Sequence, residues 1–206
     1  MVKYLNKEKF EGNKPLLKYS NDYYPDKFLI KYRKFEPPKD FDLYDGIKGQ
    51  VVELGDSKIV FGIKASPEEF TKYDFLWCPD GPAFVVHQRV LDKLNVLCPN
   101  DIQALPVIIK HYDLTAEKFE NREFWLINIL DIVDIIDREK SESYWKGDFL
   151  KFKKNMYLKD ISYMGDHLIA RIEEFTPKII FHPSLAKHFI KSKGIQFLTD
   201  EEAPYL

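Results

Sequence analysis

The sequence predicts an α+β fold: a mixed sheet that contains two pseudo-repeated strand–helix–strand units and is accompanied by short peripheral helices. The first repeat has an apolar run at residues 83–87, a helical pattern after it and a second apolar run at 102–105. The second has the same order, with apolar runs at 178–182 and 195–198. Each connection has the dozen or so residues that a crossover between parallel strands needs. We therefore expect parallel strands joined by helices of about three turns.

The N-terminal part of the chain predicts more peripheral structure. Residues 1–50 are rich in tyrosine, lysine and proline, and we expect them to wrap the domain or to add edge strands. β-Branched runs at 50–54 and 58–63 flank a Gly-Asp-Ser turn, which predicts a hairpin. We expect an N-terminal extension over residues 1–74 and an α+β domain over 75–206, packed together as one compact unit.

Three further patterns predict the remaining elements. Ser66 is followed by Pro-Glu-Glu, the spacing of a capping box with proline at the first helical position, and it predicts a short helix. The apolar run at 124–137 predicts a buried strand as far as about Leu130 and leaves its tail open between helix and strand. Residues 155–163 and 167–173 predict two short strands around a Met-Gly-Asp turn.

Composition excludes several classes of protein. The 206 residues are 45% hydrophobic and 15% aromatic, which is incompatible with a disordered chain and sufficient for a hydrophobic core. Lysine and arginine number 31 and aspartate and glutamate 33, so the charge is nearly balanced. A strongly basic balance is the usual mark of a nucleic-acid-binding protein. We therefore expect no nucleic-acid partner.

The cysteines and the apolar runs indicate a soluble, cytoplasmic protein. Cys78 and Cys98 lie far apart and outside any CxxC spacing, and we expect two buried thiols in a reducing compartment rather than a disulfide. The first residues lack the apolar run of a signal peptide. The longest apolar stretch, residues 124–136, is interrupted by three polar residues, so we expect no membrane span.

Two histidines occupy equivalent positions in the repeats. His87 and His182 each stand just before a predicted helix, where we expect them to accept hydrogen bonds as N-caps. The alternative is a composite metal or acid–base site that combines both rings, although no carboxylate or cysteine accompanies them in sequence. No Walker, GxGxxG, HExxH or GxSxG motif occurs. We therefore expect a protein without enzymatic activity, cofactor or metal.

An acidic series follows the central apolar run. Asp131, Asp134 and Asp137 recur at every third residue, which would form one stripe on a helix but alternate between faces on a strand. We favour a solvated or partner-facing edge over an acidic metal cluster, because like charges resist burial without partners. If this edge binds a partner, that partner should be basic.

The segment 141–149 is polar but contains several aromatic residues. Packing against the sheet would explain them, and an exposed recognition loop is the alternative, because tyrosine and tryptophan dominate interface hot spots. Tyr144, Trp145 and Asp148 are the candidate contact residues. The lysines of 151–154, next to two phenylalanines, suggest nucleic acid as a further alternative, although nearby acidic residues oppose it.

These patterns together resemble the immunity protein 11 family, also called domain of unknown function 1629, whose members are bacterial proteins found near polymorphic toxin genes. The resemblance covers roughly residues 75–201. Its motifs are Phe-Leu-Trp leading to Gly-Pro-Ala-Phe-Val-Val, then Asp-Ile-Gln-Ala-Leu-Pro-Val, the central run ending in Asp-Arg-Glu-Lys-Ser-Glu, and the final strand–helix–strand segment. The chain has His87 and His182 where a serine is expected.

The resemblance implies protection by binding. A family member would neutralise a cognate toxin by stoichiometric association, and the resemblance implies no catalytic residues. Two other functions remain as alternatives: a small enzyme with a composite histidine site, and a nucleic-acid-associated protein. An exposed sheet edge could also support a homodimer.

Overall fold

The computed structural model describes residues 7–19, 29–32, 48–55, 58–78, 84–111, 119–147, 149–153 and 155–203. The chain divides into two compact units. Unit 1 comprises Met1–Tyr19, Asp131–Lys191 and Gln196–Leu206, and unit 2 comprises Ser20–Leu130 and Ser192–Ile195. Both combine β-sheet with short helices, which confirms the predicted α+β class.

The described residues form fourteen strands and three α-helices. The strands are β1 (Leu16–Tyr19), β2 (Lys31–Tyr32), β3 (Ile59–Ile63), β4 (Phe75–Trp77), β5 (Phe84–His87), β6 (Ile102–His111), β7 (Glu120–Asn121), β8 (Phe124–Ile129), β9 (Ile132–Val133), β10 (Ser143–Lys146), β11 (Phe149–Phe152), β12 (Ile169–Ile172), β13 (Phe175–Phe181) and β14 (Gln196–Leu198). The helices are α1 (Pro67–Phe70), α2 (Gln88–Leu97) and α3 (Pro183–Ala186). None of the helices in this described part of the chain is long and apolar enough to cross a membrane.

The described residues of unit 2 form a seven-stranded mixed sheet in the order β2-β3-β6-β8-β5-β4, with β7 also paired to β6. Strand β8 is antiparallel to both β5 and β6, so β5 and β6 are parallel to each other with β8 between them. Helix α2 joins them and buries Val90, Leu91 and Leu94. The buried strand predicted up to about Leu130 is β8, and its undecided tail contains the short strand β9.

The core of unit 2 is aromatic and contains a buried thiol. Phe70, from α1, packs its ring 5.7 Å from that of Phe124, and both side chains are fully buried. Cys78 lies in the same cluster, and Cys98 ends α2. Both cysteines are buried and outside any disulfide, as predicted. Burial disfavours a thiolate and raises the pKa of Cys98 to about 12, which keeps the thiol protonated.

The hairpin predicted across residues 50–63 is not formed, and β3 pairs elsewhere. One side of β3 is antiparallel to β2 and the other is parallel to β6. Residues 50–54 form no strand. Instead the Gln103 side chain accepts a hydrogen bond from the Val52 N–H at 2.9 Å and donates one to the Val52 carbonyl at 2.7 Å. The backbone groups of Val52 therefore bond to a side-chain amide of β6 and not to the strand that the predicted hairpin would have placed beside them.

The described residues of unit 1 form a five-stranded sheet in the order β14-β1-β13-β12-β9, and β10 and β11 form a separate pair. Strand β1 is antiparallel to β13 and to β14, so it lies inside the sheet. The expectation of edge strands in residues 1–50 is therefore wrong for β1. Among the described residues, β2 stands at one end of the strand order in the unit 2 sheet. Position in the sheet depends on pairing with distant residues, which local composition does not encode.

The second strand–helix–strand segment has the topology of the first. Strands β13 and β14 are parallel because both are antiparallel to β1 between them. Its helix is shorter than the predicted three turns, since α3 is followed only by a 3-10 turn at Lys187–Phe189. Farther along the chain, the Lys193 carbonyl accepts hydrogen bonds from the N–H groups of Asp74 and Phe75. A repeat origin of the two segments stays a prediction.

Of the two strands predicted at 155–163 and 167–173, only the second is formed. The second contains β12. The first contains only an isolated bridge between Ile136 and Leu158, followed by a 3-10 turn at Ile161–Met164. Asp160 caps that turn by accepting a hydrogen bond from the Ser162 N–H at 3.0 Å. Capping by aspartate favours a helical turn over an extended strand here.

Candidate functional site

The β10–β11 hairpin projects the candidate contact residues of unit 1. Its register pairs Tyr144 with Lys151, Trp145 with Leu150, and Lys146 with Phe149. Gly147 begins the connection with φ +62°, as the first central residue of a two-residue hairpin turn requires. The sequence analysis treated this segment as a loop. A Gly-Asp pair between two aromatic runs is a hairpin signal that could have identified it.

One side of the hairpin is anchored and its aromatic residues are exposed. Leu150 is buried in the unit 1 core, and Phe152 packs against the same core. Tyr144 is 46% exposed and Trp145 is 58% exposed. Large aromatic side chains presented on an anchored strand lose little conformational entropy on binding. The hairpin therefore has the properties of a protein-recognition surface.

The same hairpin carries three described lysines. Lys146, Lys151 and Lys153 are all exposed. Within the described ranges, none of the three forms an ion pair. The predicted contact residue Asp148 lies outside the described residues, as does Lys154. The described surface of the hairpin is therefore aromatic and positively charged.

The three predicted acidic residues lie elsewhere and have local partners. The Asp131 carboxylate lies 3.2 Å from Nδ1 of His167. Asp134 lies 3.1 Å from Nζ of Lys159. These bases come from distant parts of the sequence, so the spacing of the aspartates gave no sign of them. Of the acidic residues expected to face a partner, Asp134 therefore has a lysine counter-ion inside unit 1, and Asp131 has a histidine neighbour.

Asp137 has a structural role next to the hairpin. Its Oδ1 accepts a hydrogen bond from the Lys140 N–H at 3.1 Å, and its carbonyl accepts one from the Ser141 N–H at 2.9 Å. The bond from the Lys140 N–H lowers the pKa of the Asp137 carboxyl, with burial opposing the shift. These bonds close the turn that leads into β10. Asp137 therefore positions the hairpin.

Asp134 also belongs to a cluster of carboxylates. Asp134, Glu173 and Glu174 each place one oxygen within 4.8 Å of the others, close enough to share a metal ion. Arg138 contacts Glu174 and lies 3.9 Å from Asp134. Together with Lys159 it supplies two positive charges to three negative ones. Asp134, Glu173 and Glu174 are thus described residues that could ligate a cation, and two of them, Asp134 and Glu174, are ion-paired with the bases named above.

His87 and His182 each cap a helix, as the sequence predicts. Nδ1 of His87 accepts a hydrogen bond from the Arg89 N–H at 3.3 Å, and Nδ1 of His182 accepts one from the Ser184 N–H at 3.1 Å. Burial lowers the pKa of both histidines, with smaller effects from the positive charges of Arg89 and Lys187 respectively. Accepting these bonds requires an unprotonated Nδ1.

Lowering the pH is expected to destabilise the protein through these caps. The unfolded histidines, with a pKa of about 6.5, bind protons more readily than the folded ones, so stability rises with pH. The stabilisation is complete above that pKa and is lost as the pH falls through it towards the lower folded pKa. Each cap contributes about 1 kcal/mol. Urea unfolding followed from about pH 5 to about pH 8, the range in which histidine titrates, measures the loss.

Asparagine provides the matched control for this prediction, because it is a good N-cap and does not titrate. The double variant His87→Asn/His182→Asn should keep its stability at neutral pH and should lose most of this pH dependence. An unchanged pH profile in the double variant would show that the histidine caps are not its source.

Comparison with models of known protein families finds none that matches this chain, and comparison with curated proteins finds no match.

Proposed function

We propose that this chain is a non-enzymatic binding protein, an immunity protein that neutralises a cognate bacterial toxin by stoichiometric binding. The observation that carries the proposal is the β10–β11 hairpin, which presents Tyr144 and Trp145 side by side in the chain and exposed. The resemblance of residues 75–201 to immunity protein 11 supports the same function. An inhibitor of this kind requires a shaped surface with aromatic anchors rather than a reactive centre.

The scaffold supports this proposal. The hairpin is held on its inner side by Leu150 and at its start by the turn of Asp137, so its aromatic residues are pre-positioned for a partner. Pre-positioning reduces the entropic cost of association. The buried thiols of Cys78 and Cys98, which form no disulfide, fit a protein that acts in the reducing bacterial cytoplasm.

Recovery of the tagged chain from its own host, followed by native mass spectrometry, tests the function. We expect a one-to-one complex with a toxin, whose activity falls to zero when one equivalent of this protein is added. Full toxin activity in the presence of an excess, or survival of the host without this protein when the toxin is expressed, would contradict the proposal.

Removing the two aromatic side chains should weaken that complex strongly. Each hot-spot truncation costs about 2 kcal/mol, so Trp145→Ala is expected to raise the dissociation constant about 30-fold, and Tyr144→Ala should act in the same direction. Isothermal titration calorimetry of the recovered complex measures both effects. Circular dichroism of each variant checks that the fold persists.

Tyr163→Ala is the matched control for these variants. Tyr163 belongs to unit 1 and is 57% exposed, nearly the same fraction as Trp145. It lies on the 3-10 turn rather than on the hairpin. We expect it to change affinity by less than about 0.5 kcal/mol. Equal losses for Trp145→Ala and Tyr163→Ala would remove the hairpin as the contact surface.

A further inference from the structure

We propose that the β10–β11 hairpin binds an acidic segment of its protein partner. This inference rests on the proposed function, since it concerns the same surface, and it assigns the charge of the partner. The sequence alone led to the opposite expectation, a basic partner for the Asp131–Asp137 edge. The structure gives the two surfaces different amounts of uncompensated charge.

The first step of the argument is charge compensation within unit 1. Of the cations near the acidic series, Lys159 pairs with Asp134 at 3.1 Å and Lys140 lies 3.5 Å from Asp137. The lysines of the hairpin have no such partner among the residues that the structure describes, and Glu142 at its base already takes part in another interaction. The described lysines of the hairpin are therefore not compensated by described acidic residues, whereas Asp134 and Asp137 of the acidic edge each have a lysine as counter-ion.

The second step is the arrangement of the lysines. Tyr144 and Lys151 are directly opposite each other, so their side chains share one face of the hairpin. Lys146 lies two residues beyond Tyr144 on the same face. The Lys153 N–H donates to the Glu142 carbonyl at 3.0 Å, which continues the ladder and places Lys153 two residues from Lys151. Three lysines thus share one face of the hairpin with the exposed Tyr144.

This arrangement complements carboxylates on a protein segment. Neighbouring lysines on this face are spaced about 5–7 Å apart at their Cβ atoms. Acidic side chains two residues apart on an extended segment, or one turn apart on a helix, have a similar spacing. An apolar residue between them would pack on Tyr144. Charge complementarity of this kind raises the association rate and excludes partners of the wrong sign.

The same hairpin is a poor platform for a nucleic acid. Tyr144 and Trp145 are consecutive in β10, so their side chains leave opposite faces of the strand and cannot stack successive bases together. The hairpin also contains no arginine, and the formal charge of the whole chain is -2. The exposed parts of Tyr144 and Trp145 can instead contact a folded protein, which favours a protein partner.

Nuclear magnetic resonance titrations of the full chain test the inference with three simple probes. An oligoglutamate peptide should shift the amide resonances of the hairpin, and a matched oligolysine peptide and a single-stranded oligothymidylate should leave them nearly unchanged. If oligothymidylate shifts the hairpin resonances more than oligoglutamate does, the hairpin prefers a nucleic acid to an acidic protein segment, and the inference is wrong. Shifts confined to oligolysine, or no hairpin shifts with any probe, would overturn the inference as well.

Charge reversal provides the matched comparison. Lys146→Glu/Lys151→Glu should weaken oligoglutamate binding about tenfold or more and should weaken the recovered toxin complex by a similar factor. Lys187→Glu/Lys191→Glu changes the net charge equally at two exposed lysines of unit 1 outside the hairpin, and it should change either affinity less than about twofold. Equal effects of the two double variants would overturn the inference.

The inference and the proposed function fail in different ways. If Trp145→Ala weakens the toxin complex and Lys146→Glu/Lys151→Glu does not, the hairpin is the contact surface but its partner is not acidic there. If the hairpin binds oligoglutamate and no toxin complex forms, the charge preference stands and the immunity function fails.

Discussion

Replacing Phe124 with alanine is expected to lower the free energy of unfolding of unit 2 by about 3–5 kcal/mol, the usual cost of truncating a fully buried phenylalanine. Phe124 has no exposed surface and begins β8, which lies between β5 and β6. Its ring centroid lies 5.7 Å from that of Phe70 and 5.0 Å from the ring of His87. Alanine would leave a cavity at the contact between α1, the α2 cap and the sheet.

Urea unfolding followed by tryptophan fluorescence measures this effect. In a Trp145→Phe background the remaining tryptophans, Trp77 and Trp125, both belong to unit 2 and report on it. Phe124→Leu keeps most of the buried volume and should cost about 1–1.5 kcal/mol. Val96→Ala, at an 80% exposed position of α2, should change stability by less than about 0.5 kcal/mol. A Phe124→Ala cost as small as that of Val96→Ala would contradict the assigned core.

Replacing Asp200 with alanine is expected to destabilise unit 1 by about 3 kcal/mol, because it leaves buried hydrogen-bond donors without an acceptor. Asp200 is buried, and its Oδ2 accepts hydrogen bonds from the Leu158 N–H at 2.8 Å and from Nζ of Lys14 at 3.1 Å. Its Oδ1 accepts a third from the Glu201 N–H at 3.0 Å. One carboxylate thus joins three segments that are far apart in sequence.

Hydrogen exchange of the Leu158 amide gives a local measurement of this loss. Its protection should fall in Asp200→Ala, together with the melting temperature of the protein. Asp200→Asn is the closest replacement, since the amide oxygen can still accept from Leu158 while the attraction of Lys14 weakens, and it should retain part of the stability. Glu201→Ala, next to Asp200 but exposed, is the control and should leave Leu158 protected. Unchanged protection in Asp200→Ala would refute the assigned role.

The elements that could be predicted from sequence are those specified by neighbouring residues. Glu69 accepts a hydrogen bond from the Ser66 N–H at 3.2 Å, and the capping box predicted there is present. The two histidine caps likewise depend on residues two positions away. Strand β8 was predictable because its apolar run is long enough to exclude a solvent-facing loop.

The features that sequence did not predict depend on distant residues. Strand β1 is a central strand because β13 and β14 pair with it. Residues 50–54 do not form the predicted hairpin, and a side chain of β6 bonds to their backbone instead. In the candidate site, too, some features follow from local sequence and others only from contacts between distant residues. Tyr144 and Trp145 could be selected by residue type, whereas the compensation of Asp134 by Lys159 arises only from folding.

The central position of β1 has a consequence for protein synthesis. Leu16–Tyr19 leave the ribosome long before the two strands that pair with them, Phe175–Phe181 and Gln196–Leu198, have been translated. At about 5–20 residues per second, this segment waits on the order of ten seconds without its neighbours. During that interval its unpaired backbone is open to chaperones and to other nascent chains. Ribosome pausing before residue 175 should therefore lower the yield of folded protein.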